Sequence, residues 1–128
     1  MKRVAVVISA VVMIFALAAC NTDKGYTNIS NDELREMFDS DVNYYYIDVR
    51  TSKEYYEEHI EEFTMNIDYY HLEEDYSMLD DLDRSRPVII MCNSGNRSAS
   101  AAEIFVKEGF TEVYNVTKGI QGWDGETV

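Results

Sequence analysis

A single cysteine in the middle of the chain stands where a strand pattern meets a helix pattern. The apolar run Val88–Met91 leads directly into Cys92, and a small polar loop, residues 93–98, separates it from a helix pattern. Backbone N–H groups of this loop, the N-terminus of the following helix and Arg97 would then face one sulfur atom. Such surroundings favour the thiolate, which is the nucleophilic form of cysteine. The alternative is a buried, inert cysteine at the end of a strand.

Strand and helix patterns alternate around this loop. The strand patterns cover residues 26–29, 44–49, 64–67, 88–91 and 113–116, and the helix patterns cover 31–38, a short segment after Thr51 or Ser52, 72–82 and 98–108. Glu54 is placed for a capping box with Thr51. We therefore predict an α/β fold: a three-layer sandwich whose central, mostly parallel sheet of about five strands has helices on both faces. Ligands of such sheets bind beyond the carboxyl ends of the strands, where Cys92 lies.

The first residues have the pattern of an export signal. Lys2 and Arg3 precede an almost continuous apolar run over residues 4–17, which is shorter than the roughly 20 residues of a membrane span. The sequence Leu17-Ala18-Ala19-Cys20 resembles the lipobox of bacterial lipoproteins, in which the cysteine is lipidated and becomes the mature N-terminus. The alternative is an uncleaved N-terminal anchor helix.

Either alternative places the remaining chain outside the cytoplasm, anchored to a bacterial cell membrane. We expect a signal peptide over residues 1–19, a lipidated tether over 20–25 and one domain over 26–128. If Cys20 carries lipid, Cys92 is the only free thiol and no intramolecular disulfide can form.

Charge and residue spacing exclude several classes of function. The 24 acidic and 11 basic residues give a formal net charge of −13, which disfavours nucleic acid and anionic lipid headgroups as partners. We interpret the acidic runs at 32–41, 54–62 and 73–83 as solvated faces. His59 and His71 stand apart from each other and from Cys92, so we predict no metal site and no cofactor.

Four segments together resemble a single-domain rhodanese, a sulfurtransferase module. The resemblance covers residues 26–124, and its segments are Tyr46-Ile47-Asp48-Val49-Arg50 with Glu54-Tyr55, Glu58-His59-Ile60 leading to Met65-Asn66-Ile67, the loop Cys92-Asn93-Ser94-Gly95-Asn96-Arg97-Ser98, and 116–123 ending in Gly122-Trp123. It implies that Cys92 attacks a sulfane sulfur, becomes a persulfide and passes the outer sulfur to an acceptor.

The resemblance also implies roles for the residues around Cys92. Substrate would be bound by the loop residues Asn93, Ser94, Gly95, Asn96, Arg97 and Ser98, whose backbone N–H groups would stabilise the negative sulfur. Arg97 would bind an anionic donor, or else tie the loop to a strand carbonyl or to Asp48. The Ser94 and Ser98 hydroxyls would donate to the sulfur, unless Ser98 only caps the following helix.

Four positions receive a structural interpretation. Gly95 is expected to need a positive φ. We expect Asp48 to bond loop amides and Arg50 to pair with nearby acids, both as structural support. We interpret His59 as a structural or surface residue rather than a base.

The length of the loop distinguishes sulfur transfer from phosphate chemistry. Four residues separate Cys92 from Arg97, as in rhodaneses, whereas the related phosphatase loops have one more and can surround a tetrahedral oxyanion. Asn93 stands where many related loops have arginine, and Lys118 replaces a glycine of the family pattern. The loop charge lost at Asn93 and the acidic composition disfavour a dianionic donor such as thiosulfate relative to a neutral persulfide or polysulfide, or to a protein partner.

The implied partners are therefore small sulfur donors, thiol or cyanide acceptors and a protein sulfur acceptor, together with the membrane through Cys20. The alternative functions are a persulfide carrier that turns over poorly alone, or a protein-binding rhodanese module. A phosphatase-like enzyme is disfavoured by the loop.

Overall fold

The computed structural model describes residues 24–128. The predicted signal peptide over residues 1–19 and the lipidation site at Cys20 lie outside the described residues. Within residues 24–128, no helix is both long and apolar enough to span a membrane.

The described residues form one five-stranded sheet in which every pairing is parallel. Its strands are β1 (Thr27–Ile29), β2 (Tyr45–Asp48), β3 (Met65–Asn66), β4 (Val88–Met91) and β5 (Val113–Val116), in the spatial order β1-β5-β4-β2-β3. β4 is the central strand, with Ile90 paired to Ile47 on one side and to Asn115 on the other. Cys92 therefore follows the middle strand at the carboxyl edge of the sheet.

The central strand is buried on both faces, as its unbroken apolar pattern predicts. Its four side chains are fully buried and alternate between two hydrophobic clusters, since successive strand residues point to opposite faces. Val88 and Ile90 pack in the cluster that contains Phe105. Ile89 and Met91 pack in the cluster that contains Leu34.

Helices cover both faces of the sheet, which confirms the predicted three-layer α/β sandwich. The helices are α1 (Asn31–Phe38), α2 (Ser52–Glu57), α3 (Tyr69–Leu72) and α4 (Asn96–Lys107), with 3-10 turns at Tyr76–Leu79 and Ile120–Gly122. α3 and α4 contribute to the cluster around Phe105, whereas α1 contributes to the cluster around Leu34. The predicted Thr51–Glu54 capping box at the start of α2 is present.

One predicted helix is wrong, because residues 72–82 do not form a continuous helix. α3 ends at Leu72 and a separate 3-10 turn begins at Tyr76. The Asp75 carboxylate accepts from the Ser77 backbone N–H at 3.0 Å and from its hydroxyl at 2.6 Å, and such local bonds compete with helix formation. Leu72 and Leu79 are nevertheless both fully buried, which explains the helix-like apolar spacing.

The turn after β2 is fixed by a buried ion pair. The Asp48 carboxylate accepts from the Arg50 backbone N–H at 3.0 Å and from Arg50 Nη2 at 2.8 Å, and both side chains are at most 5% exposed. Arg50 Nη2 also donates to the Glu58 carbonyl at 2.7 Å. Asn66 Nδ2 donates to the carbonyls of Asp48 and Arg50. Asp48 thus accepts from the amide of its own turn rather than from those of the cysteine loop. This turn leads directly into α2.

Candidate active site

The Cys92 sulfur lies at the start of α4, within reach of one loop amide. The Gly95 backbone N–H donates to Cys92 Sγ at 3.0 Å, and the residue is only 1% exposed. In the described chain, the other loop N–H groups make no hydrogen bond to this sulfur. The nearby helix N-terminus and the amide both stabilise negative charge on sulfur.

Gly95 is required at its position by the backbone and by its neighbour. Its φ of +100° lies in the left-handed region, and a Cβ added there would stand 1.9 Å from the Thr117 carbonyl oxygen. Gly95 is also the N-cap of α4, which begins before Ser98. Capping by Ser98 is therefore wrong: this buried hydroxyl lies inside the first turn and donates to the Gly95 carbonyl at 3.2 Å.

A second segment, which the sequence pattern did not predict, holds the cysteine loop on its other side. The Ile120 N–H donates to the Cys92 carbonyl at 2.9 Å, and the Gln121 N–H donates to the Asn93 carbonyl at 3.0 Å. A Cβ added at Gly119 would stand 2.5 Å from both carbonyl oxygens. The two loop carbonyls are thus bound to this segment and directed away from Sγ. Gly119 was the one available signal, since a glycine beside a tight loop often marks a close backbone approach.

Arg97 pairs with Glu54, a partner that the sequence analysis did not predict. Arg97 Nη1 lies 2.7 Å from Glu54 Oε1 and Nη2 lies 3.0 Å from Oε2, so the contact is bidentate. The predicted ties to a strand carbonyl or to Asp48 are not made. Hydrogen bonding to Glu54 raises the pKa of Arg97 further, so the guanidinium stays charged. The Tyr70 ring centroid lies 5.8 Å from the guanidinium carbon.

Glu54 is held in place by its own helix cap as well as by Arg97. The Thr51 backbone N–H and hydroxyl donate to Glu54 Oε1 at 3.2 and 3.1 Å. The Arg97 hydrogen bonds, reinforced by those from Thr51, lower the pKa of Glu54 from 4.5 to about 2. Glu54 is therefore ionised at neutral pH, and the same carboxylate links the start of α2 to the cysteine loop.

In the described structure, Asn93, Ser94 and Asn96 make no hydrogen bond to the sulfur. Ser94 and Asn96 are exposed and Asn93 is half-buried. His59 stacks on Tyr55 with ring centroids 3.9 Å apart, and its Nδ1 lies 2.9 Å from the Tyr55 carbonyl oxygen, which is a structural arrangement. Within residues 24–128, no group of His, Cys, Asp and Glu side chains is arranged to hold a metal ion.

Comparison with known proteins decides the family. Residues 30–126 match the model of the Rhodanese-like domain. The chain belongs to the rhodanese-like family. It is 33% identical over 101 residues to "Thiosulfate sulfurtransferase GlpE" of Actinobacillus pleuropneumoniae, a match that covers 77% of this chain and 87% of that protein.

The chain is also similar to a longer curated relative and to solved structures of rhodanese-like proteins. The chain is 33% identical over 99 residues to "Putative sulfur carrier protein YrkF" of Bacillus subtilis, and the match covers 77% of this chain but only 51% of that protein. The crystal structure of a rhodanese-related protein from Thermoplasma volcanium aligns with a TM-score of 0.66 and 30% identity, over 80% of this chain and 98% of that one. The rhodanese-like domain protein of Staphylococcus aureus aligns with a TM-score of 0.64 and 27% identity, over 77% of this chain and 92% of that one.

Replacing Gly95 by alanine should displace the cysteine loop. Gly109 provides a matched control, because its φ of +96° is similar while an added Cβ would meet only the Arg84 side chain at 3.7 Å. We expect Gly109→Ala to cost about 1 kcal/mol of unfolding free energy for the backbone alone. Gly95→Ala should cost clearly more, by roughly 2 kcal/mol or above, because the clash with Thr117 adds to the strain. Urea unfolding measures both, and equal losses would contradict the close contact.

The Glu54–Arg97 pair should give the protein an acid-sensitive component of stability. Because the pKa of Glu54 is lower in the folded than in the unfolded chain, its contribution is complete above pH 4.5 and is lost as the pH falls through about 2. The pair is partly exposed, so we expect Glu54→Gln to cost about 1 kcal/mol at pH 7. The difference between wild type and variant should shrink between pH 4.5 and 2 when unfolding is followed by urea titration. A difference that is independent of pH would contradict the ionised pair.

Proposed function

We propose that this chain is a rhodanese-type sulfurtransferase in which Cys92 carries the sulfur. The Cys92 thiolate attacks the sulfane sulfur of a donor such as thiosulfate, a persulfide or a polysulfide. A new S–S bond forms to Sγ, and the electron pair of the broken bond leaves with the rest of the donor, which is sulfite in the case of thiosulfate. A thiol or cyanide acceptor then attacks the outer sulfur, and the thiolate leaves unchanged.

The observation that carries this proposal is the 3.0 Å hydrogen bond from the Gly95 N–H to Cys92 Sγ at the start of α4. A backbone donor and a helix N-terminus stabilise an anionic sulfur without offering a proton acceptor, so neither step needs a general base. The same groups stabilise the thiolate before attack and when it leaves. Membership of the rhodanese-like family and the likeness to the GlpE protein support this chemistry.

A persulfide carrier is the second candidate, and the burial of Cys92 favours it. A residue that is 1% exposed shields a bound persulfide from bulk thiols, which suits storage and delivery to a protein acceptor better than rapid exchange with small molecules. The name of the Bacillus subtilis relative is in keeping with such a role.

Both candidates predict a covalent sulfur adduct on Cys92. Purified protein is incubated with polysulfide or thiosulfate, and its intact mass is compared with that of Cys92→Ser treated in the same way. We expect wild type alone to gain one sulfur atom, about 32 Da, and to lose it on reduction with dithiothreitol. The absence of an adduct with any sulfane donor would overturn both candidates.

Turnover then separates the two candidates. If cyanide or a small thiol removes the outer sulfur and the protein cycles repeatedly, Cys92 is the nucleophile of an enzyme. A stable adduct that these acceptors discharge only once, or only slowly, identifies a carrier instead.

We propose in addition that the protein is extracytoplasmic and lipid-anchored to a bacterial cell membrane through Cys20. The support is the basic pair Lys2 and Arg3, the apolar run that follows them and the lipobox-like Leu17-Ala18-Ala19-Cys20. A diacylglyceryl group would supply the two chains that stable anchoring normally takes.

Expression in a bacterial host tests this anchoring. We expect wild type to be recovered in the membrane fraction with a lipidated N-terminal peptide beginning at Cys20, as detected by mass spectrometry. Cys20→Ser should lose the lipid. Wild-type protein without a lipid, in a host that lipidates a control lipoprotein, would contradict the proposal.

A further inference from the structure

The charge of Arg97, a residue of the cysteine loop, is already balanced by Glu54. The two guanidinium Nη atoms bind the two carboxylate oxygens, at 2.7 and 3.0 Å. Arginine would use the same pair of N–H donors to bind two oxygens of a sulfonate. A donor anion must therefore displace Glu54 or bind without this contact.

Displacement of Glu54 is opposed by the way the carboxylate is held. Its Oε1 also accepts two hydrogen bonds from Thr51, and it belongs to the same folded chain as Arg97, so it competes at a high effective concentration. The lowered pKa of Glu54, about 2, keeps the carboxylate charged throughout the neutral range. An anion that approaches Arg97 consequently meets the negative charge of Glu54.

Arg50 and Lys118 belong to segments that adjoin this site, the turn after β2 and the segment after β5. Arg50 is buried and paired with Asp48. The stem of Lys118 lies against Gly122 of the 3-10 turn. Asn93, directly after the cysteine, contributes no charge. Arg50 and Arg97 are therefore both paired with carboxylates before any donor binds.

We propose that Glu54 is a specificity-determining residue that acts through Arg97 and selects sulfur donors of low negative charge over dianions. This inference rests on the proposed sulfurtransferase function and names the donor class of that same site: monoanionic or neutral sulfane donors. Glu54 does not touch the reacting sulfur, so its role is to set the charge that the donor meets.

Two donors of closely matched chemistry isolate the effect of charge. Thiosulfate is a dianion, and methanethiosulfonate is a monoanion in which a methyl group replaces one oxygen. In each, the Cys92 thiolate forms a bond to the terminal sulfur while the S–S bond breaks, and the electron pair leaves with sulfite or with methanesulfinate. The ratio of kcat/KM for thiosulfate to kcat/KM for methanethiosulfonate therefore reports on donor charge, and a general loss of folding or activity largely cancels from it.

The variants are Glu54→Gln and its matched control Glu57→Gln, measured at one ionic strength with cyanide as acceptor. Glutamine at position 54 retains the shape of the side chain and can still serve in the capping box, but it leaves Arg97 without an ionic partner. Glu57 lies on the same helix, with its side chain exposed and 4.0 Å from Lys53, so its replacement removes the same charge away from Arg97. If either variant turns over too slowly, the rates of the first sulfur addition, followed by intact mass, give the same ratio.

We expect wild type to favour methanethiosulfonate and Glu54→Gln to raise the thiosulfate ratio about tenfold, whereas Glu57→Gln leaves it unchanged. A ratio that is unchanged in Glu54→Gln, or that rises equally in both variants, would overturn the inference. So would a wild-type preference for thiosulfate. In these cases Cys92 still gains sulfur and the proposed function stands. Failure of both donors, and of polysulfide, to place sulfur on Cys92 would instead overturn the proposed function, and the inference with it.

Discussion

The bidentate ion pair between Glu54 and Arg97 is the constraint on which the candidate site depends. It joins two segments that are 43 residues apart in the chain, the start of α2 and the loop after the central strand. Without it, the loop would be positioned only by its own backbone bonds and by the segment after β5 that binds its carbonyls. With it, the position and the charge of Arg97 are both set by a carboxylate that α2 presents at a fixed place.

The buried residues behind this pair explain why α2 starts where it does. Asp48 and Arg50 close the turn at the end of β2, and Thr51 follows immediately as the N-cap of α2. On the other side of the cysteine loop, the N–H groups of Ile120 and Gln121 bind its carbonyls. The cysteine loop is thus held between the turn after β2 and the segment after β5, and this arrangement directs an amide rather than a carbonyl at the sulfur.

The sequence predicted the local interactions of this structure but not the contacts between distant segments. The buried central strand, the capping box at Thr51 and the glycine with positive φ at position 95 follow from residue types within a few positions, and the structure has all three. The continuous helix over 72–82 failed because the Asp75 side chain offers the backbone a competing bond. The partner of Arg97 and the amides behind Cys92 are contacts across tens of residues. Periodicity carries no information about which distant carboxylate or amide the fold brings to a given side chain.

The account is tested most directly by a crystal structure of the protein after reaction with polysulfide. It predicts one additional sulfur atom bonded to Cys92 Sγ, close to the N-terminus of α4, with Arg97 still paired to Glu54. Two results would contradict it. The first is an unmodified Cys92 in protein that has been exposed to excess polysulfide. The second is a loop in which Arg97 has left Glu54 and binds an oxyanion instead. The first would remove the role of Cys92 as sulfur carrier, and the second would show that the loop binds oxyanions.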